Sequence, residues 1–175
     1  SYKTGRGVVK NYKQAVYWYK KAAEQGSAPA QYDLAFMYNM GQGVEQNYRQ
    51  VVFWLNKAAE QGYVNAQYNL GNMINTGLGV KRDPKLAIYW WNKAAEQGYA
   101  LAQFNLGVTY SKGQGVIKDY VKSYMWYICA EYSGDADASK ARDRFSKKMT
   151  SKQIAKAKQM AKEWIEKFEE RQKKE

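Results

Sequence analysis

Four kinds of residue in this chain could in principle do chemistry. Gly-x-Gly steps recur at Gly5–Gly7, Gly41–Gly43, Gly77–Gly79 and Gly113–Gly115, each followed by valine, and glycine-rich turns of this kind can cradle a phosphate. Carboxylates recur at Glu24, Glu60 and Glu96, the positions where a repeated acid or base would stand. Cys129 is the only cysteine, and a run of lysines and arginines fills the C-terminal fifth. Histidine is absent, which removes the usual base near neutral pH, the Ser-His and Cys-His nucleophile pairs and the commonest metal ligand. One cysteine excludes both an intramolecular disulfide and a Cys-based zinc site.

Each candidate is weighed by its surroundings. None of the Gly-x-Gly steps continues to a third glycine or to Gly-Lys-Ser/Thr, and each follows a helical pattern rather than a strand. A helix end plus a turn is the better reading. The recurring glutamates close a helix, where the dipole disfavours an anion, so they should have a local partner at the start of the following helix. No nucleophile, base or metal ligand repeats beside them, so neither a catalytic residue nor a metal or cofactor site is expected. Seven of the twelve net positive charges fall in residues 140–175. Lysine and arginine there could contact phosphates, and aromatic rings could stack on bases. Most aromatics, however, occupy positions that packing already explains, so a solvated face is the default, nucleic acid the second reading, and an acidic protein surface or anionic lipid headgroups the third.

The elements that must carry these residues repeat every 36 positions. Trp18, Trp54, Trp90 and Trp126 share a phase, and Lys-Ala-Ala-Glu-Gln-Gly recurs at 21–26, 57–62 and 93–98. Residues 47–61 place Val51, Trp54, Leu55, Ala58 and Ala59 at helical spacing. Asn11, Asn47, Asp83 and Asp119 are matched capping residues, and Gly26, Gly62, Gly98 and Gly134 suit the left-handed residue past the helix end. A second helix, such as 63–75, buries Ala66, Leu70, Gly71 and Ile74, while small residues at Ala35, Gly71 and Gly107 admit a neighbouring helix closely. Such a hairpin cannot hide its apolar face alone and must stack on its neighbours.

These residues resemble the Sel-1-like repeat family, relatives of tetratricopeptide repeats. Ala66-Gln67-Tyr68-Asn69-Leu70-Gly71, then Gly77, Gly79 and Val80, then Trp90 and Lys93 to Gly98 look like its signature, and the likeness runs from residue 1 to about 139. The resemblance implies an all-α, right-handed superhelical solenoid of stacked helix-turn-helix repeats near 27–62, 63–98 and 99–134, after a partial first hairpin. It implies an adaptor or inhibitor of other proteins, often in bacteria; with no catalytic set among the residues, a non-enzymatic protein of the bacterial cytoplasm or periplasm is expected. Many members carry a disulfide in each repeat, which this chain cannot form.

The ends depart from the pattern. Tyr2 and Gly5 align with Tyr38 and Gly41, so residues 1–4 read as the last turn of a helix whose body is missing, leaving one side of Trp18 and Tyr19 for something else to cover. Lys20, Asn56 and Asn92 give way to Ile128, and Lys21, Lys57 and Lys93 to Cys129. Polar sites turn apolar where the array stops, so a lid is expected, with Cys129 buried under or near it rather than reactive. Residues 140–175 read as that basic capping region. Thr150 with Gln153 makes a capping box, and Ile154, Ala157, Ala161, Trp164, Ile165 and Phe168 form an apolar stripe along 150–172.

The family also implies that the first helix of each hairpin lines the inner groove. Its non-core positions hold Asp33, Phe36, Met37 and Met40, then Asn69, Asn72, Met73 and Thr76, then Asn105, Val108, Thr109 and Lys112. They vary while packing positions stay fixed. Phe36, Met37 and Met40 are apolar where other copies are largely polar, and this marks either an interface or packing against a further N-terminal hairpin. The expected partner is another protein, with an acidic surface to suit the +12 charge, in the manner of an inhibitor or immunity protein blocking an effector such as a phospholipase. No apolar stretch approaches the roughly 20 residues of a membrane span, and the opening residues lack the apolar core of a signal peptide.

Overall fold

The computed structural model describes residues 11–174, which form nine α-helices and, among the described residues, no strand. Seven helices of 13 residues alternate in two layers. One layer holds α1 (Tyr12–Glu24), α3 (Tyr48–Glu60), α5 (Pro84–Glu96) and α7 (Tyr120–Tyr132); the other holds α2 (Ala28–Met40), α4 (Val64–Thr76) and α6 (Ala100–Lys112). The chain ends with α8 (Ala138–Ser146) and α9 (Ser151–Gln172). From α1 to α8 each helix packs on the next, as a stacked solenoid requires, and α9 packs on α7.

The starts of α1, α3, α5 and α7 follow from the predicted caps. Asn11, Asn47, Asp83 and Asp119 each accept backbone N–H bonds from the first turn at 3.0–3.1 Å, satisfying donors the helix leaves free. The turn after α4 shows why two glycines are needed. Gly77 ends the helix at φ +77, a left-handed conformation. Gly79, at φ +75, lies so close to α3 that an added Cβ would sit 2.3 Å from the Tyr48 carbonyl oxygen. The first glycine turns the chain; the second lets it touch the helix one repeat back.

Close approach also explains the small residues inside the other layer. A Cβ on Gly71 would fall 2.6 Å from the Trp91 ring, and one on Gly107 2.7 Å from the Tyr127 ring. Trp54, Trp90 and Trp126 are each 8% exposed, whereas Trp18 is 61% exposed, with no preceding helix among the described residues. The expected helical turn at residues 1–4 lies outside those residues.

Neighbouring repeats are tied by glutamines. Gln31, Gln67 and Gln103 are buried, and each donates to a backbone carbonyl, of Ala23, Ala59 and Ala95, at 3.0–3.1 Å. Gln61 and Gln97 then donate to Gln31 and Gln67 at 2.8 Å. The chain of amides stops at the fourth copy, where Ser133 stands in place of glutamine. The Gln103 Oε1 and the Ser133 Oγ are both buried with no partner among the described residues.

The C-terminal end holds one element that the sequence reading does not name. Before the helix read at 150–172, α8 runs across the 139/140 boundary. Ala138 keeps the phase of Ala30, Ala66 and Ala102, so α8 starts where the next repeat's helix would. Asp135 caps it by accepting from the Asp137 and Ala138 amides, and Phe145 stacks on Tyr127 with rings 5.8 Å apart. After α8 the repeat is abandoned. Thr150 and Gln153 make the expected reciprocal capping box at the start of α9. That helix lies on α7, with Ala157 and Ala161 fully buried and Trp164 edge-on to Trp126 at 6.0 Å. Its last turns reach α5, where Arg171 donates to the Glu96 carbonyl oxygen at 3.1 Å.

Candidate partner-binding groove

The face formed by α2, α4 and α6 carries the twelve non-repeating positions, and the structure divides them. Phe36 and Met40 are half-exposed, at 50% and 51%, and Thr76 and Lys112 are exposed. Asp33, Asn69, Asn72, Met73, Asn105 and Val108 are partly buried. Met37 and Thr109 are buried, at 5% and 4%. Neither is free for a partner to touch, which corrects their placement on the open side. Met37 follows Ala30 and Leu34 at i, i+4, i+7, the core row of α2, and Thr109 follows Ala102 and Leu106 in the same way. The Thr109 hydroxyl is satisfied by donating to the Asn105 carbonyl at 2.7 Å.

Between α2 and α4 this face opens into a cavity of about 280 Å³. Four of the sequence-predicted residues meet there: Phe36, Asn69, Asn72 and Met73. Sequence reasoning missed Tyr32, Ala35 and Asn39 on α2 and the floor supplied by Val51 and Leu55 of α3. The floor could have been suspected from position 55 itself, where the later copies carry Trp91 and Tyr127.

The asparagines join repeats. Asn69 donates to the Tyr32 hydroxyl at 3.1 Å, and the Asn72 carbonyl oxygen accepts from the Trp91 indole N–H at 3.1 Å and from Asn105 at 3.2 Å. These bonds use both lone pairs of the Asn72 oxygen and leave its two N–H groups, while Asn69 keeps one N–H and its carbonyl oxygen. Partial burial raises the Asp33 carboxyl above its ordinary range through loss of hydration.

The other candidate chemistries resolve into structure. Glu24 pairs with Lys20 at 3.9 Å, and Glu60 accepts from Asn56 at 2.7 Å. Both partners lie one turn back on the same helix, not at the start of the next one, so the expected cross-helix partner is corrected. Both pairs are exposed and worth little. Cys129 is fully buried, and burial pushes its thiol up to about 12. On the outer layer Tyr17, Phe53 and Tyr89 are about half-exposed and each lies under a lysine, Lys21, Lys57 and Lys93, at 5.2–5.8 Å. No described helix is long and apolar enough to cross a membrane.

The Sel1 repeat matches this sequence four times over, at residues 1–27, 28–63, 64–99 and 100–135. The chain belongs to the Sel1 repeat family. Among solved structures, this Sel1 repeat chain is similar to c5321, a protective antigen present in uropathogenic Escherichia coli strains, at 41% identity and TM-score 0.84. That likeness covers 95% of this chain and 36% of the E. coli protein. A Sel1 repeat protein from Oxalobacter formigenes is 35% identical with TM-score 0.72, over 78% of this chain and 54% of that one. Helicobacter pylori cysteine rich protein B is 26% identical with TM-score 0.59, over 78% of this chain and 98% of its own. The chain thus spans about a third to a half of the length of the first two. No curated protein matches it. Sel1 repeats form scaffolds suited to protein–protein interaction.

Proposed function

We propose that this Sel1 array is a non-enzymatic scaffold that holds a segment of another protein against the face of α2, α4 and α6. The observation that carries this reading is the contrast between fixed and varied positions. Packing residues repeat from copy to copy, while the face reads Asp33, Phe36, Met40, then Asn69, Asn72, Thr76, then Asn105, Val108, Lys112. Half-exposed Phe36 and Met40 form an apolar patch flanked by amides, the makings of an interface with a dry centre and a polar rim.

The net charge of +12 favours an acidic partner and fast association at low salt. A narrower form is an inhibitor or immunity protein that neutralises a bacterial effector such as a phospholipase. An alternative places binding on α9, whose exposed Lys152, Lys156, Lys158 and Lys162 could meet nucleic acid or anionic lipid.

Affinity purification with the chain and two variants tests the groove. Phe36→Asp, at a half-exposed site, should abolish recovery of the specific partner without altering the melting curve. Asn72→Ala should weaken recovery about tenfold and cost about 1–2 kcal/mol of stability through its lost bonds. Retention of every bound protein by both variants refutes the groove. Binding of duplex DNA at physiological salt with a steep salt slope favours α9 instead.

A further inference from the structure

The cavity over Leu55 exists because one repeat lacks what the next two contain. In the later copies the residue at this phase is an aromatic ring. Trp91 covers Gly71 and is 5% exposed; Tyr127 covers Gly107 and is 1% exposed. In each of those copies the facing position has lost its Cβ to make room. At the first full repeat the pair is Leu55 and Ala35 instead, themselves 3% and 1% exposed, and both lie at the base of the cavity. The third member of the set also changes: Asn72, which holds the Trp91 indole N–H, is Phe36 one repeat earlier. Three coordinated differences accompany this cavity of about 280 Å³.

We propose that this recess receives one aromatic side chain from an acidic polypeptide segment, in the place that Trp91 and Tyr127 fill within the chain. This rests on the reading of the face as a protein-binding groove. About 280 Å³ is just below the range of small-molecule sites, so it fits one large side chain rather than a cofactor. Val51, Leu55 and Met73 give apolar walls, and the half-exposed Phe36 offers a ring for edge or offset stacking. Asn39 and Asn69 sit at the same opening, placed to bond the backbone on either side of the inserted ring. A fully desolvated aromatic anchor inside a ring of polar contacts is the usual composition of a binding hot spot. The acidic character comes from the whole molecule: the twelve face positions hold only Asp33 and Lys112 as charges, whereas the chain carries +12, so the field selects an anionic segment without pairing it at the recess.

The neighbouring repeat supplies the test. The triple variant Ala35→Gly, Phe36→Asn, Leu55→Trp copies Gly71, Asn72 and Trp91 and should plug the recess with a ring the fold already accommodates. Synthetic peptides rich in Asp and Glu with a single central Trp, Phe, Leu or Ala are titrated into the full chain and followed by amide NMR. The Trp and Phe peptides should bind about tenfold or more tightly than the Ala peptide and shift the Asn69 and Asn72 side-chain amides. The triple variant should lose that advantage while melting no lower than the parent. Equal binding of the Trp peptide to parent and plugged variant overturns the proposal, as does an aromatic peptide that leaves those amides unshifted. Binding that shifts Asn105, Val108 and Lys112 with no preference for an aromatic overturns the recess but keeps the groove. Shifts confined to α9 overturn both. N-acetyl-tryptophanamide binding as tightly as the Trp peptide overturns the assignment to a polypeptide.

Discussion

Gly62 and Gly79 both sit at positive φ, +88 and +75, yet they answer to different demands. Around Gly62 an added Cβ meets nothing within 4 Å, so Gly62→Ala should cost only the left-handed penalty, about 1 kcal/mol. At Gly79 the same methyl would collide with the Tyr48 backbone, so Gly79→Ala should cost about 3 kcal/mol or more, because backbone cannot step aside as a flexible side chain can. Urea unfolding of the two variants separates the cases, and equal losses would refute the packing role of the second glycine. Sequence phase marks both glycines as fixed. It cannot say which is fixed by torsion and which by a neighbour 31 positions upstream, because that neighbour is set by superhelical stacking. Met37 was misread for a related reason: an apolar residue beside the wheel boundary looks the same whether it faces solvent or the core row.

At the level of the element, α9 replaces a further repeat as the cover for α7. Ile128 and Cys129, standing where lysine and asparagine stand in earlier copies, already announce that cover in the sequence, and the Thr150–Gln153 box announces where it begins. The short α8 is not legible. It has few apolar residues, and Ala138, Phe145 and an Arg142–Glu131 ion pair tie it to the array. Full burial on α7, the helix on which α9 lies, makes Cys129 a reporter. Its thiol, pushed up to about 12, stays protonated in the folded chain well past the pH where an unfolded cysteine ionises. The resulting stability is complete below about pH 8 and is lost as pH climbs from there toward 12, since the unfolded state sheds its proton first. At pH 8 a thiol reagent should therefore label the native chain only through opening of α9. Trp164→Ala, which removes the ring against Trp126, should speed labelling at least about tenfold. Labelling of the native parent at the rate of a free thiol would show that α9 does not cover Cys129.

Across the whole molecule, stability is a sum of repeats and the contacts between them. The glutamine chain is one such contact, made from Gln61 to Gln31 and from Gln97 to Gln67 and left open at Gln103. Ser133→Gln restores the missing donor at the same 30-residue separation and should stabilise the chain by about 1 kcal/mol. A lower melting temperature in that variant would mean that the closing layer of α8 and α9 has already claimed the space. Repetition itself was legible from tryptophans and glycines alone; the cavity left only one trace, Leu55 where the later copies carry Trp91 and Tyr127, because the absence of a ring makes no motif.

A periodic groove has a weakness that a single irregularity cures. If every step along α2, α4 and α6 were alike, a bound strand could slip by one repeat and lose nothing, so it would occupy several positions of equal energy. Leu55 stands where Trp91 and Tyr127 close the later steps, so under the proposed binding a guest seated over it would be held in one register along the array.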